Sequence, residues 1–145
     1  MEYWLMKSEP STWSWEQQIK VGSKGEGWDG VRNYQDSNNM KKMKKGDLCF
    51  FYHSVKERDI IGIVKVKKVY HPDPTDKSER FGMVTVVAVK PLKNRVNLDQ
   101  IKDDKRLNHL ALVKQSRLSV MPIDAKSWKT ICNLGWIKYD IFHVG

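Results

Sequence analysis

One segment of the chain combines side chains that are suited to binding other molecules. Residues 28–35 read Trp-Asp-Gly-Val-Arg-Asn-Tyr-Gln and stand just before a predicted helix. An indole can stack on a flat base, a guanidinium can bind a phosphate or a base edge, and an amide can exchange two hydrogen bonds with a base edge. Backbone amides at the helix start would also favour an anion. The alternative is a tight turn in which Trp28 lies in the core and Arg32 pairs with Asp29, and the residues favour neither.

The first predicted strand ends in a cluster of polar residues. Lys7, Ser8 and Glu9 precede Pro10, so their side chains stand at an edge of the predicted sheet. Binding sites often lie at such positions, although an ordinary strand end has the same pattern. Residues 115–120, Gln-Ser-Arg-Leu-Ser-Val, likewise interleave hydrogen-bond donors with apolar positions as they enter a strand.

The end of the predicted strand at 48–53 suggests a second function, that of a hydrolase. His53 and Ser54 follow an apolar run that contains Cys49, with Asp47 just before it. Adjacent residues of a strand point to opposite faces, whereas a nucleophile and its base must meet in space. We therefore keep a small-molecule enzyme or hydrolase only as an alternative and predict no catalytic residues.

The charge balance favours a polyanionic partner. Lysine and arginine number 26 against 17 aspartates and glutamates, which gives a net charge of +9. Such a surface most often meets nucleic acid, although many small proteins are basic only to stay soluble. The lysines at 41, 42, 44 and 45 are either a solvated helix face or a phosphate-contacting track beside residues 28–35.

The cysteines and most of the tryptophans are expected to pack rather than react. Cys49 and Cys132 belong to no metal-binding motif, so we predict two reduced packing residues and no metal site. No glycine-rich nucleotide motif is present, and no cofactor is predicted. Four tryptophans lie on or near predicted helices and are expected in the core or at helix contacts: Trp13, Trp15, Trp128 and Trp136.

The elements that must position these groups are interspersed, with the strands clustered mid-chain. Apolar alternation and β-branched residues predict strands at 3–6, 48–53, 60–70, 83–92 and 118–121, the last stopped by Pro122. Caps and stop signals predict helices at 15–20, 34–45, 98–103, 105–112 and 125–134. Loops are predicted at 22–27 and 71–76. This order indicates an α+β barrel-like sheet with small helices around it.

The length indicates one domain. A chain of 145 residues can bury about two thirds of its unfolded surface, so it needs no disulfide or metal for stability. The longest apolar runs are too short to span a membrane, and no signal-peptide pattern follows Met1. We expect a single domain over 1–145 that is cytoplasmic, or nuclear in a eukaryotic host.

Several motifs, in order along the chain, resemble the EVE domain family, which includes the thymocyte nuclear protein type. The matching segments are 3–10, 28–35, 46–47, 51–54, 61–63, 70–75, 116–120 and Pro122. The resemblance implies a PUA-like fold, a mixed β-pseudobarrel with small peripheral helices, that is related to the YTH readers of methylated adenine. It also implies a non-enzymatic nucleic-acid-binding domain that reads a modified base.

The resemblance implies a set of residues for the base pocket. Carried over position by position, these are Trp4, Lys7, Ser8, Glu9, Trp28, Val31, Arg32, Asn33, Ser54, Ser116, Arg117, Leu118 and Ser119. In this reading Arg32 and Arg117 also contact phosphates. The sequence leaves open whether the partner is DNA or RNA, which modification is read and how the chain oligomerises. A regulatory protein-interaction domain is a further alternative.

Overall fold

A computed structural model describes residues 1–138 of the chain. Six strands form one mixed sheet in the order β2-β5-β4-β3-β1-β6. The strands are β1 (Tyr3–Ser8), β2 (Glu26–Gly27), β3 (Leu48–His53), β4 (Asp59–Pro72), β5 (Gly82–Asn97) and β6 (Val120–Ile123). β1 and β3 pair in parallel, and the other neighbours pair antiparallel. The helices are α1 (Trp15–Lys20), α2 (Tyr34–Lys42), α3 (Leu98–Asp103), α4 (Ala111–Lys114) and α5 (Ala125–Leu134).

Both faces of the sheet are covered. Tyr3 and Leu5 of β1 belong to one apolar cluster, and Trp4 and Met6 belong to the other. This division follows from the strand's period of two, which sends successive side chains to opposite faces. The helices supply residues that complete the two clusters: Trp128 and Ile131 of α5 on the first face, and Trp15 of α1 and Met40 of α2 on the second.

Close packing of α1 on the sheet depends on a glycine. A Cβ atom at Gly62 of β4 would lie 2.6 Å from the Trp15 indole, so only glycine lets the ring approach the strand this closely. Trp15 also packs edge-on to Phe51, with ring centroids 5.3 Å apart. These contacts fix α1, and with it the turn between β1 and α1, against the sheet.

The predicted elements are confirmed in kind and corrected at several boundaries. α1, β3, α3 and α5 have the predicted bounds, and the capping box of Ser14 and Gln17 is present. α2 ends at Lys42 rather than Lys45, and within 105–112 only the start of α4 is helical. The predicted loop at 22–27 contains a short 3-10 turn (Gly22–Lys24) and β2. β4 and β5 extend beyond the predicted ends through several register shifts, as expected for a bulged and strongly bent hairpin.

Pro122 does not stop β6 but lies within it, opposite Trp4. Among the described residues β6 is an edge strand, and an edge tolerates the missing proline N–H.

Trp136, which was expected to pack in the core or at a helix contact, is 66% exposed. The sequence assigned no secondary structure to residues 136–145, and most of them lie outside the described residues. No helix within residues 1–138 has the length and apolarity needed to cross a bilayer.

Candidate nucleic-acid interface

A recess of about 400 Å³ opens where β1 ends beside β2. We name it the first recess, and it is lined by Lys7, Ser8, Glu9, Thr12, Trp13, Glu26, Gly27, Trp28 and Asp29. It thus joins the polar end of the first strand to the start of the 28–35 segment, which the sequence had marked separately. Its volume lies within the range of small-molecule pockets.

Two indoles in this wall are held by the surrounding structure. Trp28 is 8% exposed and packs edge-on to Phe51, with centroids 5.6 Å apart. Its backbone N–H donates to the Val84 carbonyl at 2.7 Å, which continues the pairing of β2 with β5. The half-buried Trp13 donates its indole N–H to Gln18 Oε1 at 2.9 Å. Both rings are therefore held at the recess before any ligand binds.

The polar groups of the first recess include a buried hydroxyl and a shielded ammonium. Ser8 donates its hydroxyl proton to the Trp13 carbonyl, so its oxygen keeps only acceptor capacity toward a ligand. Lys7 donates from Nζ to the Ser116 carbonyl at 3.1 Å. Burial lowers the pKa of Lys7, and the Asp36 carboxylate partly offsets that effect. Burial also raises the pKa of Glu26, with a further contribution from Asp29.

A second recess, of about 550 Å³, adjoins the first and shares Lys7 and Glu9 with it. Its other lining residues are Tyr52, Ser54, Val55, Arg58, Leu98, Lys102, Ser116, Arg117, Leu118 and Ser119. Burial raises the pKa of Tyr52 to about 12, although Arg58 opposes the shift. The Lys7 ammonium lies 5.8 Å from the centre of the Tyr52 ring. Lys7, Arg58, Lys102 and Arg117 outnumber Glu9, so the second recess has a cationic lining.

A buried carboxylate holds one wall of the second recess. Asp36, in the first turn of α2, accepts the backbone N–H groups of Ser119 and Val120 on Oδ1, each at 2.9 Å. Lys7 N–H donates to the Ser119 carbonyl at 2.7 Å. The segment 116–119 is thus tied to α2 on one side and to β1 on the other.

The structure places some of the predicted pocket residues in these recesses and others outside them. Lys7, Ser8, Glu9 and Trp28 line the first recess. Lys7 and Glu9 also line the second, together with Ser54, Ser116, Arg117, Leu118 and Ser119. Trp4, Val31, Arg32 and Asn33 are absent from both linings.

Trp4 is a buried core residue with a structural hydrogen bond. Its indole N–H donates to Asp47 Oδ2 at 3.1 Å. The same carboxylate accepts the backbone N–H groups of Glu2 and Lys44. The indole therefore ties β1 to the turn before β3.

Arg32 anchors the loop rather than pairing with Asp29. Its guanidinium bonds to the buried Asp73 at 3.1 Å and to Thr75 Oγ1 at 3.0 Å, and it lies over the Phe81 ring. Asp73 also accepts the N–H of Gly30, where φ of +77° favours glycine. Burial opposes ionisation of Asp73, but hydrogen bonds from Thr75, Gly30 and Arg32 outweigh it and lower its pKa.

Val31 and Asn33 also have structural roles. Val31 is buried in the apolar cluster beneath Trp28. Asn33 is the N-cap of α2, because its side-chain oxygen accepts the Asp36 N–H at 3.0 Å. A cap of this kind leaves the amide nitrogen of Asn33 without a role in the helix.

In the first recess, the residues that lie outside every segment marked by the sequence are in the turn after β1 and in β2. Trp13 was expected to pack only, and Thr12, Glu26 and Gly27 carried no signal of their own. Pro10 was the available cue, because it ends β1 and forces the chain to turn beside the polar strand end.

The exposed lysines that the sequence marked as a phosphate track line neither recess. Lys41 and Lys42 end α2, and Lys44 and Lys45 follow it. A nine-residue helix is about 13 Å long, which separates this end of α2 from its Asn33 cap. A phosphate track along these lysines stays a prediction.

The groups considered for hydrolase chemistry are separately engaged. His53 Nε2 accepts the Trp15 N–H at 3.1 Å, and Nδ1 faces Glu57 Oε2 at 3.2 Å. Neither ring nitrogen is left to take a proton from Ser54. Cys49 is fully buried, and burial together with Asp47 raises its thiol pKa far above the ordinary value.

A Ser/His/Asp cluster at α5 has the geometry of a helix cap. His109 Nε2 lies 2.7 Å from Asp124 Oδ2 and 3.4 Å from Ser127 Oγ. A catalytic triad instead places the carboxylate and the nucleophile on different ring nitrogens. Within residues 1–138, no three His, Cys, Asp or Glu side chains are grouped to hold a metal ion.

Comparison with known proteins gives consistent matches over the chain. The EVE domain family matches residues 2–134. Thymocyte nuclear protein 1 of Rattus norvegicus is 32% identical over 164 residues, covering 91% of this chain and 73% of that protein. The crystal structure of a protein from Agrobacterium tumefaciens has a TM-score of 0.93 at 43% identity, covering 94% of each chain.

Two solved complexes share the fold. The human THYN1 protein in complex with 5-methylcytosine-containing DNA has a TM-score of 0.87 at 29% identity, over 95% of this chain and 99% of that one. The YTH domain of a Zygosaccharomyces rouxii protein, in complex with N6-methyladenosine RNA, has a TM-score of 0.56 at 17% identity, over 94% and 88%. The second likeness shows the fold alone. Together the matches confirm the predicted α+β, PUA-like architecture.

Proposed function

The chain belongs to the EVE domain family, and from that premise we propose that it binds nucleic acid and reads a modified base held in the first recess. The modification is methyl or hydroxymethyl, and the partner is DNA or RNA. The solved human relative, bound to DNA that contains 5-methylcytosine, supports this proposal. The net charge of +9 also supports a polyanionic partner.

One observation carries the proposal: the first recess combines fixed indoles with polar groups at the end of β1. Trp13 and Trp28 line the same cavity as Lys7, Ser8 and Glu9. Aromatic faces stack on any base, whereas donors and acceptors at a fixed position distinguish one base edge from another. The carboxylate of Glu9 suits the exocyclic amino group of cytosine or adenine, and the Ser8 oxygen offers a second acceptor.

The energetics of base extrusion fit such a cavity. Taking a base out of the stack costs a few kcal/mol. Stacking on an aromatic side chain returns about 1–3 kcal/mol per base. The hydrogen bonds and the fit of the added methyl or hydroxymethyl group then decide which base is retained, while phosphate contacts hold the strand in register.

The proposal describes a binding domain without catalysis. The engaged ring of His53 and the buried thiol of Cys49 support that part of it. If the chain were instead a regulatory protein-interaction domain, its affinity for nucleic acid would be weak and would not depend on the base. We propose a cytoplasmic location, or a nuclear one in a eukaryotic host, in line with the nuclear name of the animal relatives.

Substitution of Trp13 tests the proposal. Fluorescence anisotropy would measure binding to labelled 12-nucleotide single-stranded DNAs that carry cytosine, 5-methylcytosine or 5-hydroxymethylcytosine at the centre, and to RNAs with adenine or N6-methyladenine. We expect tighter binding to at least one modified strand than to its unmodified partner. Trp13→Ala should lower affinity for that strand roughly 5- to 100-fold, the equivalent of one lost stack.

Trp136→Ala is the matched control, because that indole is exposed and lies in neither recess. It should bind like the wild type. Equal affinity of the wild type for every modified and unmodified strand would contradict base reading. An unchanged affinity of Trp13→Ala would contradict the assignment of the first recess.

A further inference from the structure

We propose that the second recess binds the sugar-phosphate backbone next to the extruded base, with Arg58 and Lys102 joining Arg117 as the phosphate-binding cations. This inference rests on the proposed function, since it concerns the strand whose base enters the first recess. It adds Arg58 and Lys102, which no sequence motif marked.

Some arginines of the chain form ion pairs within the protein, and others have guanidinium groups that are free to bind a ligand. Arg32, Arg95 and Arg106 form ion pairs with carboxylates. Within residues 1–138, the guanidinium groups of Arg58 and Arg117 have no hydrogen bond or ion pair, and both line the second recess. A guanidinium presents a planar set of donors that suits a phosphate. The Arg80 guanidinium also has no hydrogen bond or ion pair within residues 1–138, but it lines another recess together with Asp73, Asp76 and Glu79. Two of the three unpaired guanidinium groups thus converge on the second recess.

Arg58 is placed by the turn between β3 and β4. Its backbone adopts φ of +57°, and its carbonyl accepts the N–H of Leu98 at 2.9 Å. That bond ties the turn to the first residue of α3. Lys102 follows Leu98 by four residues, so the two lie on the same face of α3. The fold therefore brings a turn cation and a helix cation to the same recess.

The two recesses form a continuous surface. Lys7 and Glu9 belong to both linings, and Lys7 Nζ binds the Ser116 carbonyl in the wall of the second. A strand with one base in the first recess therefore crosses Lys7 and continues past Ser116 and Arg117. The Glu9 carboxylate would repel a phosphate at the shared wall, which favours a backbone path on the side of Arg58 and Lys102.

The lysines of α2 are a poorer phosphate site. Lys41 borders a third recess, of about 580 Å³, whose lining also includes Arg80 and the carboxylates of Asp73, Asp76 and Glu79. Three carboxylates against two cations disfavour a phosphate there. In the second recess, Glu9 is the acidic member of a lining that holds Lys7, Arg58, Lys102 and Arg117.

The test compares two double variants that remove the same charge. Arg58→Gln/Lys102→Gln alters the second recess, and Lys41→Gln/Lys42→Gln alters the exposed end of α2. All four side chains are exposed, so both proteins should fold, and thermal melting would check this. The probe is 12-nucleotide single-stranded DNA with central cytosine or 5-methylcytosine, titrated at several salt concentrations.

We expect Arg58→Gln/Lys102→Gln to weaken binding of both strands by at least tenfold at low salt. The slope of log affinity against log salt, which is negative, should become less negative by about 1.4. That change corresponds to two lost phosphate contacts on a single strand. The ratio of the two affinities should stay within about twofold of the wild-type ratio, because backbone contacts carry no base information. The α2 variant should keep most of the wild-type slope.

Two other results have different meanings. If the wild type prefers the modified strand and Arg58→Gln/Lys102→Gln keeps its affinity and salt slope, this inference is overturned and the proposed function stands. If the wild type binds none of the strands described above, the proposed function fails and the inference falls with it.

Discussion

The two adjoining recesses differ in how their polar groups are used. In the first, the Trp13 indole N–H and the Ser8 hydroxyl are already donated to protein acceptors, and the rings are fixed. In the second, the guanidinium groups of Arg58 and Arg117 have no protein partner within residues 1–138. Groups held in fixed positions favour discrimination between bases, whereas unpaired cations favour affinity for any phosphate. We therefore propose that the first recess selects the base and that the second retains the strand.

Lys7 is a residue that joins the two recesses. It lies in both linings, bonds to Ser116 and is half-buried. Its backbone N–H also binds the Ser119 carbonyl. Two hydrogen bonds therefore connect this residue of the first recess to the segment 116–119.

The largest expected effect comes from removing the carboxylate that holds the second recess. Asp36→Ala leaves the N–H groups of Ser119 and Val120 without their acceptor and should lower the free energy of unfolding by roughly 2–4 kcal/mol. Urea denaturation would measure it. Asp36→Asn keeps one acceptor oxygen and should cost less. Equal stability of Asp36→Ala and wild type would contradict the role assigned to Asp36.

A smaller effect separates a core tryptophan from the recess tryptophans. Trp4→Phe removes the donor to the buried Asp47 and should destabilise the protein by about 1–3 kcal/mol. Affinity for the preferred modified strand, measured by anisotropy, should stay within about twofold of wild type, since an indole in neither recess supplies no stacking. A selective loss of modified-base binding in a folded Trp4→Phe protein would instead show that Trp4 belongs to the binding site.

The smallest effect concerns the pH dependence of binding at the shared wall. Because the pKa of Lys7 is lowered by burial, its ammonium loses its proton at a lower pH than an ordinary lysine. A bound strand is negatively charged and favours the charged form of Lys7, so affinity should fall several-fold as pH rises from about 8 to about 10. Lys7→Arg, which stays charged, should flatten that fall. Identical pH profiles for both proteins would contradict a role for the Lys7 charge in strand binding.

Local signals in the sequence predicted most of the fold. The capping box at Ser14, the cap at Asp124 and the apolar run of β3 gave correct bounds because each depends on nearby residues. The position of Pro122 within β6 depends on the place of that strand at the edge of the sheet, which no local pattern reports. The family motifs supplied the PUA-like architecture that periodicity left open.

The candidate site was harder to predict because its residues meet only through the sheet. The motifs marked Lys7, Ser8 and Glu9 correctly as a strand end, but they did not separate the two recesses. Arg32 carries the features of a ligand-binding arginine and is instead engaged by Asp73, which is 41 residues away in the chain. Arg58 lies in a turn with no motif, and only its tie to Leu98 brings it to the recess.

The central claim is that the first recess takes a base against the fixed indoles of its wall. Nuclear magnetic resonance of the ¹⁵N-labelled protein, titrated with 12-nucleotide DNA that carries one 5-methylcytosine, would resolve the indole N–H signals of the six tryptophans. We expect the signals of Trp13 and Trp28 to shift strongly, with those of Trp128 and Trp136 unchanged. Binding that leaves Trp13 and Trp28 unmoved would contradict the account.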